Sequence, residues 1–176
     1  MKHLMRIMNK FLKLKKYGYH YYETEEEQLK AVKSNGELIR FIDNPSEAVK
    51  LEAVKQNGLA ICFIKNPSEK LKLEAVKNDS DSIHWIKNPS EELQLLAVSK
   101  KGYTISYIEN PTEAVQLEAI SGGECIIQFI KKPTRKAILK SLSVDKQAIS
   151  QIDLRDQDED LIDEILSILE IKDILE

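Results

Sequence analysis

The sequence predicts an all-α protein: an α-solenoid of about six 22-residue two-helix repeats with N- and C-terminal capping helices. Three observations predict it. First, every proline falls in one register, Pro45, Pro67, Pro89, Pro111 and Pro133, each 22 residues from the next. Second, apolar columns keep that period. Leu29, Leu51, Leu73, Leu95, Leu117 and Leu139 form one, and Ala31, Ala53, Ala75, Ala97 and Ala119 the next, with Ser141 in the sixth place. Val32, Val54, Val76, Val98, Ile120 and Leu142 form a third. Ile39, Ile61, Ile83, Ile105, Ile127 and Ile149 follow, then Ile42, Ile64, Ile86, Ile108, Ile130 and Ile152. Third, turn signals break each unit, such as Asn57-Gly58 within it and Asn66-Pro67 at its end. A strict period marks a repeat architecture. Helices this short are marginal alone in water, so each must bury its apolar stripe against the neighbouring unit.

The elements follow in chain order. Residues 1–22 carry six Lys/Arg and no acid, with Leu4, Ile7, Met8 and Phe11 at helical spacing. They read as a basic N-terminal capping segment. A second reading stays open, a helix for nucleic acid or an anionic membrane through Lys2, Arg6, Lys10, Lys13, Lys15 and Lys16. Tyr17, Tyr19, Tyr21 and Tyr22 lie close to those bases, a mixture that suits nucleic-acid contact as well as a packed cap.

Residues 23–152 form the repeat region. In one unit, helix A starts at Asn44-Pro45-Ser46-Glu47. Two registers are open: Asn44 as N-cap with Pro45 in the first helical position and Glu47 reaching back, or Ser46 as N-cap. Helix A ends near Gln56, with Gly58 available for a left-handed residue. Helix B runs from about Leu59 to Lys65 with Ile61 and Ile64 one turn apart, and the next Asn-Pro ends it. A buried leucine column implies that Leu73→Ala or Leu95→Ala costs about 2–5 kcal/mol. Residues 153–176 carry ten acids and two bases, with Leu161, Ile162, Ile165, Leu166 and Leu169 on a wide stripe. They read as an acidic C-terminal capping helix, or as a helix that faces a partner.

Composition narrows the function classes. The chain has 176 residues, 26 Lys+Arg and 29 Asp+Glu, for a net charge of −3. Apolar residues make up 42%, which opposes global disorder, and the slightly acidic charge opposes a dedicated duplex-DNA binder. Cys62 and Cys125 make no disulfide framework, so a reducing compartment is expected. Arg6, Lys10 and Lys13 break every apolar run near the N-terminus, so neither a signal peptide nor a membrane span is expected. The expected location is the cytoplasm of the producing or host cell. Phosphate-loop, dinucleotide and zincin motifs are missing. Asp156, Asp158 and Asp160 have the spacing of a calcium loop, but Leu161 and Ser167 stand where glycine and glutamate are needed. No metal, cofactor or catalytic set is expected, and the protein reads as non-enzymatic.

The candidate binding residues are the variable positions of helix B. One column is Arg40, Cys62, His84, Ser106 and Gln128; another is Asp43, Lys65, Lys87, Glu109 and Lys131. An aromatic column, Phe41, Phe63, Trp85, Tyr107 and Phe129, reads either as core or as partner anchors. The partner-binding candidates are therefore Arg40, Lys65, His84, Trp85, Lys87, Tyr107, Glu109 and Lys131. Lys50, Lys72, Gln94 and Gln116 on helix A read as a solvated outer face.

The phrase Leu51-Glu52-Ala53-Val54-Lys55-Gln56-Asn57-Gly58, followed by Ile61, Ile64 and Asn66-Pro67, resembles the short α-helical repeats of bacterial and phage proteins. It is similar to the leucine-rich-repeat-variant and HEAT-like class. The resemblance covers about residues 25–152 and implies a solenoid that binds another macromolecule. The expected function is a protein-protein interaction solenoid with one protein partner. If the gene is phage-borne, this extends to an inhibitor of a host defence protein of the anti-CRISPR kind. Two alternatives remain: a nucleic-acid or anionic-membrane binder using residues 1–22, and a salt-sensitive self-assembling element, a homo-oligomer joined through its oppositely charged ends.

Overall fold

The computed structural model describes residues 22, 24–123, 125–155 and 157–170. Most of the basic segment at 1–22, with Lys2, Arg6, Lys10, Lys13, Lys15 and Lys16, lies outside the described residues, as do 171–176 at the acidic end. The described chain is all-α with no strand. The α-helices are α1 (Glu25–Ser34), α2 (Glu47–Gln56), α3 (Glu69–Asn78), α4 (Glu91–Lys100), α5 (Glu113–Ile120), α6 (Arg135–Val144) and α7 (Glu159–Leu169). Between them lie 3₁₀ helices η1 (Gly36–Phe41), η2 (Gly58–Phe63), η3 (Ser80–Trp85), η4 (Gly102–Tyr107), η5 (Ile127–Phe129) and η6 (Lys146–Gln151).

One short grammar writes each repeat. Thr24, Ser46, Ser90, Thr112 and Thr134 are N-caps whose hydroxyls accept the N–H three residues on, and Ser68 accepts from Leu71 in the same way. The serine register is therefore the one adopted, and Asn44 is not the cap. Asn44, Asn66 and Asn88 take left-handed backbone, with φ of 52°, 50° and 48°, so each turns the chain into its proline. A glutamate at the first helical position faces the positive end of the helix dipole in α1 to α5. Cap hydroxyls also link neighbouring helices: Ser46 donates to Glu25, and Thr112 Oγ1 donates to Glu91 at 2.5 Å.

The middle turn departs from expectation. Asn57 stops α2 in extended conformation, with φ −147° and ψ 110°. Its side chain then accepts the Leu59 N–H, so one residue ends one helix and caps the next. Helix B is a 3₁₀ helix and not an α-helix, and it stops at Phe63, with Ile64 already extended. Glycine is not the left-handed residue here. It permits close approach: a Cβ on Gly36 would stand 2.4 Å from the Ala53 carbonyl oxygen, and one on Gly102 2.6 Å from that of Ala119. Side chains of the following repeat seal two of these turns. Gln56 Oε1 accepts the Gly36 N–H at 2.6 Å, and Asn78 Oδ1 accepts that of Gly58 at 2.8 Å.

The contacts divide the chain into two compact units, up to Asn78 and from Asp79. In the first, α1, α2 and α3 pack in succession and η1 packs on η2. Its core is Ala31, Val32, Ile39, Val49, Ala53, Val54, Ala60, Ile61, Leu71, Ala75 and Val76. In the second, α4 to α7 pack in succession, and η3 to η6 pack in succession beside them. Leu93, Val115 and Ala137 join the alanine, valine and isoleucine columns there. Ser82 and Thr104 are buried too, and each satisfies its hydroxyl on a backbone carbonyl three residues back. Two expectations are corrected. The leucine column from Leu51 to Leu139 is only half-buried. Lys50, Lys72 and Gln94 are half-buried and Gln116 is 3% exposed, so that column is not an outer face. The acidic helix α7 buries Leu161 and Ile165, and its carboxylates meet bases of α6 and η6: Arg135 pairs with Asp158 and Glu164, and Lys146 with Glu170.

Candidate functional site

A six-residue 3₁₀ helix turns once every three residues. In η3 and η4 the isoleucines at 83 and 105 therefore point inward while the residue that closes each helix points outward. Ile83, Ile86, Ile105 and Ile108 are buried, yet Trp85 is 54% exposed and Tyr107 41%. Phe129 at the end of η5 is also exposed. The core reading of this column is thereby overturned. Phe63 in the first unit is exposed as well, and Phe41 is half-buried.

His84 joins the two large rings of the second unit. Its ring lies 4.9 Å from Trp85 and 4.8 Å from Tyr107 by centroid, edge-on to both. Tyr103 meets Tyr107 at 6.5 Å, nearly perpendicular. The Tyr103 hydroxyl donates to Asp81 at 2.7 Å. Lys101 donates to Asp81 at 2.7 Å and to Asp79 at 3.3 Å. Burial pushes the Asp81 carboxyl up, but hydrogen bonds from Lys101 and Tyr103, with the Lys101 charge, hold it below the usual carboxylate value. The same bond to Asp81 raises the Tyr103 phenol and, foremost, the Lys101 ammonium. These groups spend their polar capacity on one another, and Tyr103 links them to the Tyr107 ring.

Of the residues singled out from sequence, His84, Trp85 and Tyr107 come together. Lys87, Glu109 and Lys131 are exposed on the second unit, and Glu109 and Lys131 line a cleft of about 170 Å³. Arg40 and Lys65 belong to the first unit, where they line a separate cleft of about 530 Å³. Asp81, Lys101 and Tyr103 were missed. Their signal was present: Lys101 stands in the column where Asn35, Asn57, Asp79 and Asp145 cap 3₁₀ helices, and Asp81 and Tyr103 stand one period apart. Cys62 is half-buried, and burial, then Glu37, pushes its thiol up, away from nucleophilic chemistry. Asp158 of the calcium-like spacing is the N-cap of α7. No group of metal-ligand type occurs among the described residues.

Fold and surface together define an all-α repeat protein with solvent-facing aromatics on its 3₁₀ layer. No family model, curated protein or solved structure matches the chain. No helix among the described residues is long and apolar enough to cross a membrane.

Proposed function

We propose that the chain is a non-enzymatic protein-interaction module that holds one partner protein on the aromatic face of its second unit. The observation that carries this is the outward orientation of Trp85, Tyr107 and Phe129 in three successive repeats whose isoleucines already fill the core. Fully burying a large apolar side chain contributes about 1.5–3 kcal/mol, and about half of that is still available here. Trp and Tyr are common binding hot spots, and the Asp81–Tyr103–Tyr107 contacts hold the face in place before a partner arrives. Lys87, Glu109 and Lys131 supply a charged rim. The period supports kinship with the leucine-rich-repeat-variant and HEAT-like class, and if the gene is phage-borne the partner is a host defence protein that this chain inhibits. The free cysteines Cys62 and Cys125 support a cytoplasmic location within the same proposal.

The test is capture from a nuclease-treated lysate with tagged chain and with a Trp85→Ser, Tyr107→Ser variant. A protein retained by the first and lost by the second, with unchanged helical circular dichroism, supports the reading. Equal capture by both, or loss of all capture on nuclease treatment, rejects it.

A further inference from the structure

The two clefts named above occupy the same place in their repeats and differ in what stands at the column of Gln116. In the second unit Gln116 closes the cleft: Nε2 donates to the carbonyls of Pro111 and Lys132 at 3.2 and 3.3 Å, and Oε1 accepts the Thr134 N–H at 2.8 Å. In the first unit that column holds Lys50, which cannot accept. Its ammonium turns to Glu47 on its own helix at 3.1 Å, and the cleft stays open. Arg40, Lys50 and Lys65 line it against one carboxylate, Asp43, with Ile42, Phe63 and Ile64 as an apolar wall. The Arg40 guanidinium lies over the rings of Phe41 and Phe63, 4.6 and 5.6 Å from their centroids. Such stacking fixes the flat cation while its edge N–H groups remain able to donate. Neither Arg40 nor Lys65 has an ion-pair partner among the described residues.

We propose that this cleft binds an acidic segment of a partner protein, a Glu or Asp carboxylate beside an apolar residue. Arg40 and Lys65 take the carboxylate, Arg40 by its two-pronged edge, and Phe63 and Ile64 take the neighbouring aliphatic group. Charge complementarity selects the occupant. The apolar wall of Ile42, Phe63 and Ile64 favours a carboxylate carried beside an aliphatic group over a phosphate chain, which has no apolar part to bury there. The proposal rests on the reading that the chain binds a protein, but it concerns the first unit and not the second.

Fluorescence anisotropy of the full chain with three labelled probes tests it: a peptide alternating Glu and Leu, its Gln-for-Glu counterpart, and oligothymidylate of equal length. The Glu peptide should bind saturably, with the Gln peptide about tenfold weaker or worse. Arg40→Ala with Lys65→Ala should weaken the Glu peptide by a similar factor, and Trp85→Ala should leave it unchanged. Lys65→Ala alone serves if the double variant loses its helical circular dichroism. Equal binding by the cleft variants, tighter binding of the oligonucleotide, or loss of binding in Trp85→Ala would each overturn the proposal. Because the Trp85 and Tyr107 variants test the second unit, failure of one reading leaves the other measurable.

Discussion

Leu71 and Leu73 stand two residues apart on α3 in different surroundings. Leu71 is 1% exposed and Leu73 is half-buried. Leu71→Ala leaves a cavity and should cost about 2–5 kcal/mol; Leu73→Ala should cost distinctly less, because solvent already reaches its side chain. Urea unfolding of the two variants checks the order, and equal or reversed costs would contradict the packing. Asp81 makes a second prediction, through pH. Its folded-state pKa lies below the usual 3.8, despite the burial that opposes this, because Lys101 and Tyr103 donate to the carboxylate. A carboxyl depressed on folding adds stability above its unfolded pKa and loses it as pH falls through the folded value. Asp81→Asn should therefore cost about 1 kcal/mol at neutral pH, and the gap from the parent should close below pH 3.8. Urea midpoints measured at pH 7 and again well below that value decide it, and a gap of constant size would show that the loss is one of shape and not of charge.

Each repeat element is set by where backbone meets backbone. The glycine that opens η4 touches α5 so closely that a methyl group would collide with the Ala119 carbonyl at 2.6 Å. Gly102→Ala should cost about 1–3 kcal/mol as an overpacked contact. Gly122→Ala places its methyl 3.9 Å from the same oxygen and should stay within about 0.5 kcal/mol of the parent. Thermal unfolding of both variants reads the contrast. The same geometry explains how much of the fold could be read in advance. The period, the end of helix A near Gln56 and the alanine, valine and isoleucine columns were legible because side-chain identity alone marks them. The 3₁₀ form of helix B was not, since Ile61 and Ile64, three apart, suit one turn of either helix. Val49, Leu71, Leu93 and Val115 escaped notice because the third helical position varies in size while staying buried. Phe63, Trp85 and Tyr107 form a column that reads the same whether it faces core or solvent. Only the tight 3₁₀ turn, with Ile61, Ile83 and Ile105 already inside, decides that it faces out. For the candidate site, His84, Trp85 and Tyr107 were legible as neighbours in adjacent columns. The brace of Asp81, Lys101 and Tyr103 required knowing which turn follows which helix.

Within each unit the packing partners are neighbours in repeat order. In the second unit α4 meets α5, α5 meets α6 and α6 meets α7, while η4 touches η3 and η5. In such an array stability is a sum of local terms and nearest-neighbour interfaces, and opening is free to occur in part of the array. Ile105 tests this because it is 1% exposed in η4, and η4 packs on both α4 and α5. Ile105→Val removes one methylene, a loss of about 0.5–1.5 kcal/mol that spares the fold. Native-state hydrogen exchange should then quicken in η4, α4 and α5 by roughly the factor that this energy implies, about two- to tenfold at 25 °C. The amides of α7, which meets α6 and not η4, should keep their parent rates. If α7 accelerates as much as α5, the second unit opens as one cooperative block and the nearest-neighbour description fails. If the acceleration stays within the repeats that touch Ile105, the aromatic face around Trp85 and Tyr107 lies in a segment whose rigidity can be tuned separately. The strength of partner capture should then follow the protection of η3 and η4, not the melting temperature of the chain.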